Sequence, residues 1–237
     1  MSLPLQITNI SKCFKDHKVL DSIDLTVSPG EIFGLVGVNG VGKTTLIKIM
    51  LDLLRPDSGE VSFFGSNAVL KSSRTNIAYL PEKFYPSPFL KGNEFLSLAL
   101  SYYGMILNKQ EALESAQMLG LDHNVLNHRI GKYSKGMGQK LGLISVFLVK
   151  RRLLVLDEPM SGLDPMARIQ LKQLLLKYRD KGNTIFFSSH ILADIEEICD
   201  NMAVIDRGKI NFIGKPESFL SRYKESNLEK AFLKAIS

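Results

Sequence analysis

The segment GVNGVGKTT, residues 37–45, joins an apolar run to a stretch with helical spacing. A tight turn between a strand and a helix needs one glycine, whereas this segment has three, followed by a lysine and two threonines. It matches the pattern G-x-x-x-x-G-K-[ST] in full. A G-x-G-x-x-G dinucleotide turn is the nearest alternative, but it does not account for Lys-Thr-Thr. The segment therefore predicts a loop that binds the phosphates of a nucleotide.

Each part of this loop has a predicted role. Its glycines let successive backbone N–H groups point at phosphate oxygens, and the helix that follows adds the positive end of its dipole. Lys43 is expected to reach the β- and γ-phosphates and to take part in catalysis, while the Thr44 hydroxyl is expected to bind Mg²⁺. The other predicted nucleotide contacts are Gly37, Val38, Asn39, Gly40, Val41, Gly42 and Thr45.

Composition narrows the class of protein. The chain has 237 residues, 45% of them hydrophobic, so it can bury a sizeable core. The net charge of +6 is spread along the chain, and the densest basic cluster (residues 150–152) is too short for a nucleic-acid arm. The two cysteines are far apart in the sequence, which fits a reduced cytosolic setting. His123 and His128 have no pattern of Cys or acidic residues beside them that would complete a metal site. With no apolar run of roughly twenty residues and no signal peptide, we expect any membrane connection to go through a partner.

The pattern of apolar residues predicts an α/β fold. Alternation in residues 4–14 and 22–27 indicates antiparallel strands, and apolar runs at 31–37, 151–157 and 183–190 indicate buried strands. Helical spacing after Lys43 includes Leu53 and Leu54, and RPDSG (55–59) is expected to end that helix. The predicted domain spans 1–237, with a core of a mostly parallel sheet and an N-terminal β subdomain (about 1–85 and 150–215). An inserted helical subdomain (about 86–149) and a C-terminal helical element (about 216–237) complete it, and residues 202–214 read as a hairpin.

A second motif, LLVLDEP (153–159), supplies two carboxylates at a strand end. Asp157 is expected to hold Mg²⁺, and Glu158 to take a proton from an attacking water. The alternative is a strand that merely ends in solvated acids. Gly37, Asp157 and Ser188 each follow an apolar strand, and ligands of parallel sheets bind at the carboxyl ends of the strands. We therefore expect these three residues to converge on one edge.

Three further segments place the chain near a known family. NKQE (108–111) half-matches the guanine-binding motif of GTPases but lacks its aspartate. By contrast, YSKGMGQKL from Tyr133, DEPMSGLDP from Asp157 and SSH (188–190) follow the phosphate loop in a characteristic order. With them, nearly the whole chain resembles the nucleotide-binding subunit of an ATP-binding cassette (ABC) transporter. The resemblance implies a P-loop NTPase with a RecA-like core and two subunits that enclose two ATP molecules.

The resemblance also implies roles for single residues. His190 corresponds to the switch histidine, a catalytic residue, and Asp164 would lie at the subunit interface. Phe14 corresponds to the aromatic that stacks on adenine, although a lone phenylalanine in a strand is more often a core residue. The trans signature comprises Ser134, Lys135, Gly136 and Met137. Ser134 can also cap the helix that follows, whereas without the other motifs this segment would be only a flexible turn.

Two residues depart from the family pattern. Lys135 replaces the first central glycine of the signature, so it either adds a cation near the phosphate of the opposite subunit or points away. Glu82, in AYLPEKF (78–84), replaces the usual glutamine. It can still bind Mg²⁺, but it adds negative charge near the phosphates. Both features resemble the branch of ABC ATPases that serves export-type, two-component permeases.

The expected function is an ATPase, with ATP and Mg²⁺ as cofactors, that drives a separately encoded integral-membrane permease by ATP-driven dimer closure. The expected partners are that permease and a second ATPase subunit, most simply an identical one, and not nucleic acid. The expected location is cytoplasmic, at the inner face of the membrane through the permease. A non-transport cassette protein usually carries coiled coils or a second cassette, which this chain lacks. A regulatory module with little turnover is the other alternative, and the complete set of catalytic residues argues against it.

Overall fold

The computed structural model describes residues 2–236, in which strands and helices form two β-sheets and their covering layers. The strands are β1 (Leu5–Phe14), β2 (His17–Val27), β3 (Ile32–Val36), β4 (Ser58–Phe63), β5 (Ser66–Asn67), β6 (Ile77–Leu80), β7 (Leu153–Asp157), β8 (Thr184–Ser189), β9 (Asn201–Asp206) and β10 (Lys209–Gly214). The α-helices are α1 (Lys43–Met50), α2 (Gly92–Ser101), α3 (Lys109–Met118), α4 (Lys135–Leu148), α5 (Pro165–Asp180), α6 (Leu192–Ile198), α7 (Pro216–Tyr223) and α8 (Leu228–Ile236).

The larger sheet has the strand order β10-β9-β3-β8-β7-β6. Its strands run parallel except for β10, which forms the predicted hairpin with β9. Strands β3, β7 and β8 are buried along their whole length, because other elements cover both faces of the sheet. This confirms the prediction of a mostly parallel core.

The smaller sheet is antiparallel, with the order β2-β1-β4-β5. It confirms the predicted N-terminal β subdomain, which β4 joins by pairing with β1 and β5. Burial alternates along the second half of β2, as expected for a strand with one solvent-facing side.

Successive side chains of the larger sheet point into two separate hydrophobic cores. Phe33, Val155 and Phe186 face the core shared with α1 and the smaller sheet. Val36 and Phe187 face the opposite core, to which helices α2 to α8 contribute. The three central strands are therefore held from both sides, and their carboxyl ends have a fixed geometry.

Helices α2, α3 and α4 lie between β6 and β7, where the sequence predicts an inserted helical segment. At the C-terminus, α8 packs against α6 and α7 and buries Leu228, Ala231 and Phe232. Residues 1 and 237, which the predicted domain bounds include, lie outside the described residues. Within residues 2–236, no helix has both the length and the apolar character needed to cross a membrane.

The prediction that the helix after Lys43 extends to Leu54 is wrong. Helix α1 ends at Met50, and Asp52 adopts a left-handed conformation with φ +57°. The backbone N–H of Leu53 then donates to the carbonyl of Lys48 at 2.8 Å, which is the closing bond of a Schellman motif. Leu53 is consequently outside the helix and 63% exposed.

Candidate functional site

The carboxyl ends of β3, β7 and β8 meet at one edge of the larger sheet. Val36 is the register partner of Ser189, and Asp157 is the register partner of Ser188. Gly37 follows Val36 directly, so the three strand ends that the sequence predicts to converge do so. The convergence follows from parallel pairing of apolar strands whose ends carry polar residues.

The loop between β3 and α1 requires its glycines. Gly40 and Gly42 have φ values of +83° and +113°, which residues other than glycine rarely adopt. A Cβ atom on Gly37 would lie 2.6 Å from the carbonyl oxygen of Ile205. Helix α1 begins at Lys43 with no acidic residue in its first turn and no side-chain cap from within residues 2–236. Its first N–H groups are therefore available to an anion.

Lys43 is buried at the centre of this loop. Its Nζ donates to the carbonyl oxygen of Gly37 at 2.7 Å and lies 3.2 Å from Glu158 Oε1. The loop thus holds a cation between its own backbone and the carboxylate that follows β7. Phosphate oxygens, which carry more negative charge than this single carboxylate, can compete for the same ammonium group.

Glu158 links the lysine to the histidine. Its Oε2 lies 2.8 Å from His190 Nδ1, and its backbone N–H donates to Ser188 Oγ at 2.9 Å. Glu158 has φ +49°, a conformation that costs about 1–2 kcal/mol for a residue with a side chain. The contacts with Lys43, Ser188 and His190 hold the buried carboxylate in this position. The three predicted catalytic residues, Lys43, Glu158 and His190, thereby form one chain of contacts.

Asp157 is fully buried and has one well-formed side-chain hydrogen bond, from Ser188 Oγ to Oδ1 at 2.6 Å. Among residues 2–236, no group reaches its Oδ2 in hydrogen-bond geometry. Burial raises the pKa of Asp157 above its ordinary value, and the charges of Glu82 and Glu158 raise it further. The hydroxyls of Ser188 and Thr44 lower that pKa. Ser188 donates a hydrogen bond to the carboxylate, whereas Thr44 lies near the carboxylate without a hydrogen bond of good geometry. A buried carboxylate oxygen without a partner is suited to a cation.

Negative charge accumulates around this oxygen. Burial raises the pKa of Tyr79, on β6, to about 12, and the charges of Asp157 and Glu82 add to the shift. Within the described residues, no group of three or more His, Cys, Asp or Glu side chains could hold a metal ion alone. The donors present are one hydroxyl and two carboxylates, oxygen ligands that Mg²⁺ prefers together with substrate phosphates. The residues therefore fit a magnesium ion bound jointly with a nucleotide.

Lys43, Thr44, Glu82, Glu158 and His190 help to enclose a cavity of about 480 Å³, whereas Asp157 is not among its lining residues. Its lining brings together most of the residues predicted from the sequence, and adds one that was not predicted, Ser161. Ser161 lies in the turn after β7, where its N–H donates to the carbonyl of Glu158 at 3.0 Å. Its place within DEPMSGLDP was the available signal. The complete lining is Asn39, Gly40, Gly42, Lys43, Thr44, Thr45, Glu82, Glu158, Ser161 and His190.

The sequence pattern that defines the ABC transporter family matches residues 20–161, which include the phosphate loop and the end of β7. The chain belongs to the ABC transporter family. It has the P-loop NTPase fold, like the ABC ATP-binding subunits to which it is similar. One solved structure, of an ATP-binding subunit of an ABC transporter, covers 99% of both chains with a TM-score of 0.88 and 29% identity.

Several named relatives are also similar to this ABC subunit. The bacitracin transport ATP-binding protein BcrA of Bacillus licheniformis is 34% identical over 89% of this chain and 69% of its own length. The Nod factor export ATP-binding protein I of Rhizobium etli is 32% identical over 91% and 69%. An ABC transporter ATP-binding protein of Synechocystis, itself uncharacterised, is 38% identical over 81% of this chain. This chain spans 55% of the length of the Synechocystis relative and 61% of the length of a similar ABC transporter ATP-binding protein of Nostoc.

The signature segment of the ABC subunit lies apart from the cavity of its own loop. Ser134 is the N-cap of α4, where its Oγ accepts from the N–H of Met137 at 3.2 Å, so the predicted cap is confirmed. The side chain of Lys135 passes over Gly162, on which a Cβ atom would lie 3.2 Å from Lys135 Cε. A Cβ on Gly136 would lie 3.0 Å from the carbonyl oxygen of Gly162. The signature segment thus packs on the turn that follows β7.

Asp164 connects that turn to two helices. Its Oδ1 accepts from the N–H of Ala167 at 2.9 Å and caps α5, and its Oδ2 lies 3.6 Å from Lys140 Nζ on α4. The backbone hydrogen bond from Ala167 lowers the pKa of Asp164, and Lys140 lowers it further. The carboxylate is largely exposed, as a contact to a second subunit would require.

Phe14 lies at the end of β1 and is 47% exposed, so it is not a core residue. Its ring lies 5.7 Å from Lys12 Nζ and does not line the cavity around Lys43. A second cavity of about 340 Å³ adjoins the other side of the loop and shares Asn39 and Gly40 with the first. The stacking role predicted for Phe14 stays a prediction, with an exposed ring available for it.

Proposed function

We propose that this chain binds ATP with Mg²⁺ at the loop of residues 37–45, hydrolyses it, and uses the cycle to power export through a separate membrane permease. The observation that carries the proposal is the contact chain Lys43–Glu158–His190 inside one cavity at the carboxyl edge of the sheet. A cation for phosphate, a carboxylate for a proton and an imidazole to orient that carboxylate are the groups that hydrolysis of a phosphoanhydride needs.

Lys43 exchanges its contacts with Gly37 and Glu158 for the β- and γ-phosphate oxygens when ATP binds. Glu158 Oε1 is then released to face the attacking water and accept its proton. His190, through the contact of Nδ1 with Oε2, holds the carboxylate in the orientation that this transfer requires. Preorganisation of the base in this way contributes rate because the geometry is set before the reaction starts.

Thr44, Asp157 and Glu82 are the residues that would hold Mg²⁺. The ion supplies positive charge that stabilises the developing negative charge on the phosphates. The partnerless Oδ2 of Asp157 supports this assignment within the described residues. Ser188 contributes by fixing Oδ1 of the same carboxylate.

Two copies of the chain close on ATP in the proposed cycle. Ser134, Gly136 and Met137 of one copy then face the nucleotide bound by the other, and Asp164 lies at the interface. The exposed position of Ser134 at the uncovered N-terminus of α4 supports this role, since a helix N-terminus attracts an anion. The proposed location is the cytoplasmic face of the membrane, where the chain attaches to the permease, and membership of the ABC transporter family supports it. The export direction is proposed because relatives are named for bacitracin transport and Nod factor export.

Phosphate release by the purified chain tests the proposal. Lys43→Ala removes the cation of the cradle and should abolish both tight binding of a labelled ATP analogue and turnover. Lys48→Ala, on the exposed side of the same helix, is the matched control and should behave like the wild type. Unchanged affinity in the Lys43→Ala protein would show that the nucleotide binds elsewhere. ATP turnover can also be compared with and without a membrane protein that co-purifies with the chain. Identical turnover in the two cases would count against the coupling to a permease.

A further inference from the structure

A buried lysine between α5 and α6 contacts one buried and one exposed carboxylate, away from the proposed nucleotide cavity. Lys172, on α5, has its Nζ 2.9 Å from Asp194 Oδ1 and in contact with Glu197 Oε2. Lys172 and Asp194 are 8% and 3% exposed. Burial by itself lowers the pKa of the lysine, but the hydrogen bonds that its ammonium group donates to Glu197 and Asp194 outweigh burial and raise the pKa. The cluster is therefore a buried ion pair with a fully charged cation.

The ion pair helps to hold the helix that follows the switch histidine, together with the buried side chains of Leu192, Ile195 and Ile198. Asp194 lies in the first turn of α6, four residues after His190. Helix α6 has seven residues, and no side chain within residues 2–236 caps its N-terminus. So short a helix owes its position to tertiary contacts rather than to its own stability. On this side the contact is Lys172, and Asp194 has no second cation partner among the described residues.

The connection from Asp194 to the cavity is short. Strand β8 ends at Ser189, whose Oγ accepts from the N–H of Ile191 at 2.9 Å, and His190 lies between them. A displacement of the first turn of α6 therefore moves the backbone that carries His190. Such a movement changes the distance between His190 Nδ1 and Glu158 Oε2, which is 2.8 Å in the structure.

We propose that Lys172 is a positioning residue for His190, acting through its buried ion pair with Asp194. This inference rests on the proposed hydrolysis of ATP. Lys172 does not line the cavity, so its loss leaves the binding groups in place and affects the alignment of the base. A misplacement of about 1 Å at a catalytic group can lower the rate by about 100-fold.

The test compares three variants of Lys172 and Asp194 in the full chain. Lys172→Met should lower kcat by about 10- to 100-fold while the Kd for a labelled ATP analogue stays within about twofold. Lys172→Arg, which keeps the cation, should restore most of kcat. Because a lone buried carboxylate destabilises the fold, Lys172→Met combined with Asp194→Asn provides a variant without an unpaired charge, and its kcat should stay low.

A matched control separates alignment from general loss of stability. Arg179→Met removes another partly buried ion pair of α5, with Asp200 at 3.1 Å, at the far end of the helix. It should lower the melting temperature with kcat unchanged. If the double variant turns over like the wild type, or if kcat in all variants follows the melting temperature, Lys172 has no positioning role.

A measurement without turnover separates this inference from the proposed function. The imidazole NMR signals of His190 in nucleotide-free protein, assigned with His190→Gln, should shift in Lys172→Met and stay in place in Arg179→Met. Signals that do not shift would overturn the inference even if the protein hydrolyses ATP. A wild type without ATPase activity would refute the proposed function instead, and the NMR comparison would still decide whether Lys172 positions His190.

Discussion

Ser188 holds the two strand-end carboxylates together, and its removal has a calculable cost. Ser188 is fully buried, donates to Asp157 Oδ1 at 2.6 Å and accepts from the N–H of Glu158 at 2.9 Å. Ser188→Ala removes both hydrogen bonds and leaves a buried carboxylate and a buried N–H without this partner. One bond to a charged group and one to a neutral group together correspond to about 3 kcal/mol of unfolding free energy. For a chain of this length the melting temperature should fall by about 6–12 °C.

The pH dependence of this loss follows from the pKa of Asp157. Its folded-state pKa is raised by burial above the ordinary value of 3.8, so the fold favours the protonated acid. The nucleotide-free protein therefore loses stability as pH rises from the ordinary pKa through the folded one. Because the Ser188 hydrogen bond lowers this pKa, Ser188→Ala raises it further. The difference in stability between wild type and variant should grow with pH, because the folded acid of the wild type ionises at a lower pH than that of the variant while the unfolded states are equivalent.

Urea unfolding of the nucleotide-free proteins at about pH 5 and about pH 8 measures both effects. Ser189→Ala is the matched control, since Ser189 is the next buried residue of β8 and, within residues 2–236, its hydroxyl bonds only to the backbone of Ile191. The loss of its two neutral hydrogen bonds should cost about 1–2 kcal/mol, independent of pH. A Ser188→Ala protein that loses no more stability than Ser189→Ala, or loses the same amount at both pH values, would refute the reasoning.

Two further changes probe the cavity. His190→Ala removes the 2.8 Å contact to Glu158 and should lower turnover by at least about tenfold with ATP affinity unchanged; steady-state turnover within about twofold of wild type would reject the orienting role. Glu82→Gln removes a charge from the proposed Mg²⁺ site, so half-maximal hydrolysis should need a higher Mg²⁺ concentration; a superimposable Mg²⁺ titration would show that the carboxylate is not a ligand.

The local parts of the fold and site could be predicted from the sequence. Short apolar runs predict the buried strands. The residue types in 37–45 and 153–159 predict a phosphate-binding loop and a pair of carboxylates at the ends of those strands. Parallel pairing then places Gly37, Asp157 and Ser188 together without further information. These features depend on neighbours in the chain and on one general rule of sheet geometry.

Features that depend on distant or unusual contacts could not be predicted. The pairing of Lys172 with Asp194 joins residues 22 positions apart on two helices, and no spacing rule indicates it. The end of α1 depends on a left-handed Asp52, where such a conformation normally selects glycine. The left-handed conformation of Glu158 is equally invisible in the sequence, because it is imposed by the contacts with Ser188, Lys43 and His190.

The association state of Glu158→Gln tests the proposed ATP-driven cycle most directly. The substitution keeps the size of the side chain but cannot accept the proton, a loss of about 10²–10⁴ in rate. Lys43, Thr44 and Asp157 are untouched, so ATP should still bind and persist, and ligand held between two copies stabilises the dimer by mass action. Size-exclusion chromatography with light scattering should find an ATP-dependent dimer of Glu158→Gln, and a monomer of the wild type without ATP or with ADP. A Glu158→Gln protein that hydrolyses ATP at the wild-type rate, or one that binds ATP and stays monomeric, would contradict the proposed cycle.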